Sequence, residues 1–294
     1  MVTNRVSTGS SRMTQLIIHA DDFGMADHID RGIQHAYREG VVTSTSLVAG
    51  GETFSSAVQI AKANPDLDIG IHLTLVGSTP VAEPAKIPTL LTGQGVFFAS
   101  AWSFVVRYCT GKISQQEIDL ELAAQCEKVL STGLTITHID SHQHLHMLPG
   151  IFELVTKLAR KYNINAIRIP CESQSPALIF KLYRYPRLAQ QIVLNYLCRK
   201  VTKNFICSDH FRGFLDGGQL VCKKLYDIIA GLPEHGVTEI MCHPGIADPQ
   251  SPYATWGYHW QQELETLIDP KIKNFLAEKN IALISYRDLL RGEP

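Results

Sequence analysis

The residues of this sequence best suited to chemistry are concentrated between Thr137 and Met147, which read Thr-His-Ile-Asp-Ser-His-Gln-His-Leu-His-Met. Four of the chain's 12 histidines and one aspartate fall within this short segment. Imidazole and carboxylate groups bind divalent metals and exchange protons near neutral pH. The segment therefore predicts a metal or acid–base site, although solvated loop histidines around one core histidine would give a similar pattern.

Several other expected strands also end in ionisable residues. An apolar run, Leu16–Ala20, leads into Asp21-Asp22, and the histidine segment continues a strand that begins near residue 135. The remaining cases are His72 within 68–76, Arg168 within 166–170 and His243 after 238–242. Because the carboxyl ends of parallel strands meet at one rim of a barrel, we expect these side chains to converge.

A divalent metal is the first chemistry that these residues suggest. One carboxylate and two imidazoles, with further positions open to water and substrate, form the ligand set of hydrolytic metal centres. We nominate Asp22, His72 and His142 as the ligands of one ion. The set suits Zn²⁺ best by softness, while Mg²⁺ and other divalent ions remain compatible because ligand preferences overlap.

Three residues at the strand ends are assigned to catalysis. Asp21 is the expected base for the attacking water, since two adjacent acids rarely bind the same ion. Arg168 is expected to pair with Asp21 and keep it ionised. His243 is expected to protonate the leaving group or stabilise a developing oxyanion.

The rest of the histidine segment is assigned to substrate binding or to orienting the ligands. His144 and His146 are expected to shape a substrate pocket or to hold ligands in place. Asp140 is nominated with them, chiefly as a group that orients a histidine.

Each assignment has a structural alternative. Asp21-Asp22 before Phe-Gly could form a turn and cap a helix, and His72 could be a hydrogen-bonded core histidine. Arg168 could belong to a structural ion pair, and His243 could lie in an ordinary loop.

Strands and helices alternate along the chain, and the strands lack a polar face. This pattern predicts an α/β fold with a parallel sheet. A distorted (β/α) barrel of seven or eight strands fits the number of elements better than an open doubly wound sheet. Helices are expected over 27–39, 54–63, 114–130, 151–162, 218–231 and 261–279, with further strands over 204–208 and 281–286.

One domain is expected over residues 15–294, after a polar tail at 1–14. Residues 77–113 are rich in Pro and Gly and predict an irregular insertion or lid. The helical region 176–203 mixes aromatic and apolar residues with six Lys or Arg. That composition suits peripheral contact with an anionic membrane, although an outer barrel helix would look similar.

The composition excludes several classes of protein. Lys and Arg number 27 against 28 Asp and Glu, so no strong field favours nucleic acid. The seven cysteines are scattered, which favours reduced thiols over a disulfide framework. No apolar run is long enough to span a bilayer. These features predict a cytoplasmic protein, with peripheral contact at the inner face of the membrane as the alternative; they leave the oligomeric state open.

Five motifs in order along the chain resemble those of the YdjC-like carbohydrate deacetylases. They read Ala-Asp-Asp-Phe-Gly from residue 20, Val-Thr-Ser-Thr-Ser from 42, Gly-Ile-His-Leu from 70, His-Ile-Asp-Ser-His-Gln-His-Leu-His-Met from 138 and Met-Cys-His-Pro-Gly from 241. The resemblance implies a distorted (β/α) barrel and divalent-metal hydrolysis of an N-acetyl group on an amino sugar. The family's metal ligands fall on Asp22, His72 and His142, in agreement with the nomination above.

Within that family, residues 70–81 followed by Ile-Pro-Thr-Leu-Leu at 87–91 resemble the hopanoid-biosynthesis-associated HpnK branch. That resemblance implies an N-acetylglucosaminyl hopanoid as substrate. The Asp-Ser-His-Gln-His-Leu-His stretch instead resembles the disaccharide deacetylases, which leaves a soluble chito-disaccharide as the alternative. A metal phosphoesterase and a non-catalytic sugar-binding protein are the alternatives from other classes.

Overall fold

The computed structural model describes residues 14–172, 186–201 and 204–292. Eight strands lie within these residues. They are β1 (Thr14–Phe23), β2 (Ser44–Leu47), β3 (Asp68–Leu73), β4 (Ile136–Ser141), β5 (Ala166–Ile167), β6 (His210–Arg212), β7 (Val237–Cys242) and β8 (Ile281–Leu283).

Ten α-helices surround the strands in the part of the chain that the structure describes. They are α1 (Asp27–Arg38), α2 (Phe54–Ala63), α3 (Ala101–Cys109), α4 (Gln115–Leu130), α5 (Ile151–Lys161), α6 (Pro186–Lys200), α7 (Cys222–Ala230), α8 (Trp260–Ile268), α9 (Pro270–Glu278) and α10 (Tyr286–Arg291).

All the strand pairs are parallel, and the sheet runs in the order β5-β4-β3-β2-β1-β7-β6. β8 pairs with the first residues of β1. Ile206 forms a parallel bridge with Ala166 of β5, the first strand in this order. Since Ile206 lies just before β6, this bridge brings the two ends of the sheet together. The expected distorted parallel (β/α) barrel is confirmed.

β1 pairs with three strands, more than any other strand in the described residues. Its backbone pairs with β7 on one edge, and β8 and β2 follow one another along the other edge. Leu16, Ile18 and Ala20 are fully buried among the surrounding helices. The carboxyl end of β1, which carries Asp21-Asp22, is therefore fixed by neighbours on both sides.

The structure corrects several expected boundaries. Thr14, assigned above to the tail, is the first residue of β1. Within the expected strand at 204–208, Ile206 forms a single bridge. Regular pairing with β7 begins only at His210, just after Asp209, whose carboxylate accepts the Val237 N–H. The expected helix at 261–279 is divided into α8 and α9, because Asp269 caps the second helix and Pro270 begins it.

The insertion at 77–113 is more regular than expected. It contains α3 and two short 3₁₀ turns, Pro84–Lys86 and Pro88–Leu90. The Ser100 side chain accepts the Ser103 N–H at the start of α3, and Phe104 is fully buried. A short amphipathic helix with a single buried anchor gives little periodicity, which is why the sequence pattern did not indicate it.

The expected helical region at 176–203 is described from Pro186 onward, where α6 runs to Lys200. Residues 173–185 and 202–203 lie outside the described residues. α6 buries Leu188 and Cys198 against the barrel, so it packs as an outer barrel helix. Over the parts of the chain that are described, none of the helices has the length and apolar character needed to cross a bilayer.

Asp30 attaches α1 to the turn that follows β1. Its Oδ1 accepts the Gly24 N–H at 2.6 Å, and its side chain is almost fully buried. Burial raises the pKa of Asp30 to about 7, against the lowering effect of its hydrogen bonds. Between the ordinary pKa of an aspartate and this raised value, the folded protein binds a proton that the unfolded chain releases.

We therefore expect Asp30 to reduce stability as pH rises from about 4 to about 7, since above that range the fold must contain a buried charge. Asp30→Asn keeps the acceptor for Gly24 but cannot ionise. The variant should gain stability relative to the wild type with rising pH, by up to about 4 kcal/mol above pH 7. Urea unfolding of both proteins at about pH 5 and about pH 8 measures this gain. A gain that does not change with pH would contradict the raised pKa.

Candidate metal centre and catalytic pocket

A β-bulge at the end of β1 brings two adjacent acids to the same site. Ala20 pairs with Thr45 and Phe23 with Leu47, so two residues of β1 face one residue of β2. Asp22 lies in the left-handed region, with φ of 71°. Neighbouring residues of a regular strand point to opposite faces, whereas a bulge redirects one of them. The bulge therefore lets Asp21 line the pocket described below, while the adjacent Asp22 joins the buried cluster with His72 and His142.

Asp22, His72 and His142 come together as the sequence predicted. Their ligand atoms lie within 4.8 Å of one another, and all three residues are buried. Asp22 Oδ1 lies 2.9 Å from His142 Nδ1 and 3.3 Å from His72 Nε2. Burial opposes the charged form, but His142 and His72 hold the pKa of Asp22 well below its ordinary value.

The same residues fit a divalent cation by their donor atoms. Asp22 Oδ2 and His72 Nε2 are buried and have no hydrogen-bond partner among the described residues. Unpartnered buried acceptors are costly, and a bound cation would satisfy them. Burial lowers the pKa of His72, but Asp140 and Asp22 raise it to about 10. The negative field that holds a proton on His72 would also attract a metal ion.

Asp140 orients His72 from the far side of its ring. His72 Nδ1 lies 2.9 Å from Asp140 Oδ1 and 3.0 Å from Ser46 Oγ. With one proton held on Nδ1, Nε2 is the nitrogen left to bind a metal ion, once the ion displaces the second proton that the raised pKa keeps on the ring. Asp140 is fully buried, and Arg168 and Ser46 contact its other oxygen. This position fits the expected orienting role and does not fit the expected substrate contact.

Asp21 is held by Arg168 through two parallel hydrogen bonds of 2.9 and 3.0 Å. The expected pairing of these residues is present in the structure. Burial raises the pKa of Asp21, but Arg168 and His19 hold it well below its ordinary value. Arg168 also contacts Asp140 at 2.7 Å and Glu239 at 2.8 Å. Because three carboxylates surround the fully buried guanidinium, Arg168 cannot reach substrate and acts only through these partners.

A pocket that is open to solvent lies beside these groups. Asp21, His142 and His243 line it together. The backbone N–H of His243 donates to Glu263 Oε2 at 2.6 Å, while the ring nitrogen Nδ1 of His243 has no partner among the described residues. Burial lowers the pKa of His243, although Asp21 and Asp22 oppose the shift. A carboxylate and an imidazole thus face one cavity beside the cluster of candidate ligands.

The family model described as YdjC-like protein matches residues 15–278, which carry all of these side chains. The chain belongs to the YdjC-like family. Two proteins named carbohydrate deacetylase, from Clostridium beijerinckii and Brevibacillus brevis, are 33% and 34% identical to it. Each match covers 94% of this YdjC-like protein, and they cover 100% and 99% of the two relatives.

A solved structure has the same fold as this YdjC-like protein. It is a candidate cellobiose-phosphate cleavage protein from Enterococcus faecalis, with 27% identity and a TM-score of 0.72. The superposition covers 95% of this chain and 99% of that one. The barrel and its rim are therefore shared over almost the whole length of both proteins.

His144 and His146, which follow His142 along the chain, differ from each other in their access to the pocket of this YdjC-like protein. His144 lines the pocket beside Phe214, and its Nδ1 has no partner among the described residues, as a substrate-binding group requires. His146 is almost fully buried, with Nδ1 2.6 Å from Ser141 Oγ and Nε2 2.9 Å from the Arg168 carbonyl oxygen. His146 therefore fixes the Arg168 segment, and the expected substrate contact does not fit it.

An aromatic wall beside the candidate metal ligands was not predicted from the sequence. The Trp256 ring lies 5.1 Å from the His142 ring, and the Tyr258 ring lies 4.8 Å from that of His243. Aromatic rings of this kind pack against the apolar faces of bound small molecules. The pocket residues not nominated from sequence are Gln143, Arg187, Gln190, Phe214, Gly217, Met241 and Tyr258. An aromatic cluster at 253–260, just beyond the His-Pro-Gly motif, was the available signal.

Proposed function

We propose that this YdjC-like protein is a metal-dependent hydrolase that removes the N-acetyl group from an N-acetylglucosamine-type sugar. The observation that carries the proposal is a common pocket, which is lined both by His142 of the candidate metal cluster and by Asp21, the carboxylate that Arg168 holds. Curated relatives named carbohydrate deacetylase, matched over nearly their whole length, support the substrate class.

Asp22, His72 and His142 would hold one divalent ion, Zn²⁺ by the softness of the imidazoles or else Mg²⁺. When bound, such an ion polarises the acetamide carbonyl and lowers the pKa of water. Asp140 supports this set by keeping the proton of His72 on Nδ1.

Asp21 and His243 divide the proton transfers between them. Asp21 lies in the pocket as a carboxylate, because Arg168 stabilises its charged form, and it accepts the proton of the attacking water. His243 faces the same cavity and donates a proton to the leaving amine. Burial lowers the pKa of His243, so its imidazolium releases a proton more readily.

Acetate release from N-acetylated chito-oligosaccharides, measured before and after chelation, tests this function. We expect release to cease with chelator and to return when Zn²⁺ or Mg²⁺ is added back. Phosphate release from phosphomonoesters, without acetate release, would instead indicate a metal phosphoesterase. Saturable sugar binding with neither product would indicate a non-catalytic binding protein.

For the substrate itself, we propose an N-acetylglucosaminyl hopanoid, as the resemblance of residues 70–81 to the HpnK branch suggests. The first two turns of α6 contribute Arg187 and Gln190 to the pocket. Further along α6, Ile192, Val193 and Tyr196 are exposed, and Arg199 and Lys200 follow. An apolar face next to basic residues suits the surface of an anionic membrane, where a lipid-linked sugar would be presented.

Initial rates on diacetylchitobiose and on liposomes containing the glycosylated hopanoid would distinguish the two substrates. We expect the lipid-linked sugar to be preferred and the protein to co-float with anionic vesicles. Preference for the disaccharide together with no co-flotation would leave the soluble chito-disaccharide as the substrate and would remove the membrane contact proposed for α6.

A further inference from the structure

We propose that Glu263 is a positioning residue for the rim that carries the pocket, because its two carboxylate oxygens hold the backbone of His243 and the loop 213–220 together. This inference rests on the proposed function, since it gives Glu263 a role in placing the acid and one wall of the pocket. Glu263 lies in α8, is fully buried and does not line the pocket. It therefore acts through the two segments that it binds and not on the substrate.

The Glu263 carboxylate joins two segments that are far apart along the chain. Its Oε2 accepts the backbone N–H of His243 at 2.6 Å, and its Oε1 accepts the backbone N–H of Leu220 at 2.9 Å. Both distances lie within the range of hydrogen bonds to a carboxylate. His243 is the first residue after β7, and Leu220 is the last residue of the loop. One side chain thus connects the end of a barrel strand to the loop.

The end of β7 is attached to α8 at a second point. The Gly245 N–H donates to the carbonyl oxygen of Trp260, the first residue of α8, at 3.1 Å. The bonds from Glu263 and Trp260 together hold residues 243–245 against the helix. Because this stretch of backbone carries the His243 ring, which lines the pocket, a shift of the backbone would move the proposed acid.

The loop 213–220 forms one wall of the pocket. Gly217 lines the pocket directly. Gly218 packs so closely against Tyr258, another pocket residue, that a Cβ on Gly218 would overlap the tyrosine ring. Loss of the bond to Leu220 would therefore loosen both the loop and the support of Tyr258.

A glutamate suits this position better than the side chains most similar to it. Both partners are N–H donors, so the side chain must offer two acceptor atoms. A glutamine has one acceptor oxygen and would turn its NH₂ group toward the other N–H, and an aspartate is shorter by one methylene. Burial raises the pKa of Glu263 to about 7, although the bonds from Leu220 and His243 oppose the shift. Measurements at about pH 8 therefore examine the charged form.

Amide hydrogen exchange measures the two attachments directly. We expect Glu263→Gln to speed exchange in 213–220, in 243–246 or in both, with the rest of the barrel as in the wild type. Glu263→Asp should show the same local pattern, because its shorter carboxylate cannot reach both N–H groups, and it serves if the glutamine variant does not fold. Unchanged exchange in both segments, or a uniform increase over the barrel, would overturn the proposal.

The kinetic effect should match the segment that loosens. Release of 243–246 displaces the His243 ring and should lower kcat, whereas release of 213–220 loosens the wall and should raise KM. In either case we expect kcat/KM to fall about 10- to 100-fold with bound metal unchanged. An unchanged kcat/KM, or an effect confined to the parameter of the segment that stays protected, would contradict the positioning role.

Asp68→Asn is the matched control for a buried carboxylate. Asp68 is fully buried and accepts the Arg287 N–H, but it is the first residue of β3, at the strand end away from the pocket. It should leave kcat/KM at the wild-type value whatever its effect on unfolding. An equal loss of kcat/KM in Asp68→Asn would reduce Glu263 to a general contribution to stability.

Glu265→Gln is the control on the same helix, because Glu265 is exposed on α8. It should change neither the exchange of the two segments nor kcat/KM. Absence of acetate release from the wild type would reject the proposed function, while hydrogen exchange would still decide whether Glu263 holds the two segments.

Discussion

His142→Ala should remove bound metal and deacetylase activity together. His142 supplies one of the two imidazoles of the candidate cluster, and its Nδ1 lies 2.9 Å from Asp22. Without it, a carboxylate and a single imidazole remain, which is too few protein ligands to retain a hydrolytic metal ion. We expect metal content after dialysis to fall to background and kcat/KM to fall by about a thousandfold or more.

His35→Ala provides the control, because His35 lies on the exposed face of α1. Elemental analysis and acetate release should be indistinguishable from the wild type in this variant. Full turnover by His142→Ala would refute the ligand assignment. Loss of activity with metal content unchanged would move His142 from the ligand set to a role in substrate binding.

Asp21→Asn should separate the two adjacent aspartates. The amide cannot accept the proton of the attacking water, so we expect kcat to fall about 10²- to 10⁴-fold. The candidate ligands are unchanged, and metal content should therefore stay at the wild-type value. Arg168 keeps Asp140 and Glu239 as charged partners, so the fold should persist and thermal unfolding can confirm it.

Asp27→Asn is the corresponding control, since Asp27 is an exposed acid in the first turn of α1. It should leave both metal content and kcat unchanged. If Asp21→Asn lost its metal, Asp21 would be a ligand and a different base would have to be sought. If it retained full activity, the base would have to be another pocket residue.

The convergence of the site could be predicted from sequence because it follows from topology. In a parallel barrel, ionisable residues at strand ends meet at one rim, which predicts that Asp22, His72 and His142 come together, and they do. The pairing of Asp21 with Arg168 followed from the same reasoning and is present. Strand order and handedness constrain such contacts strongly, even when element boundaries are wrong by several residues.

Depth within the barrel could not be predicted in the same way. Asp140 and His146 belong to the motif that supplies His142, yet both are buried with their polar atoms engaged by the protein. Alternation along a strand specifies the face that a residue occupies, but not its distance from solvent. The aromatic wall at Trp256 and Tyr258 was missed for a related reason, because loops approach the rim without a periodic pattern.

The bulge in β1 has a consequence for how relatives of this protein should be compared. Asp21 lines the pocket and the adjacent Asp22 joins the neighbouring histidine cluster because β1 is one residue longer than β2 between the pairs Ala20–Thr45 and Phe23–Leu47. Deleting a residue there would leave a strand that still pairs, but its regular alternation would turn neighbouring side chains to opposite faces and separate the proposed base from the proposed ligand. In homologous chains, the number of residues between the positions of Ala20 and Phe23 is therefore as informative about whether activity is retained as the types of those residues.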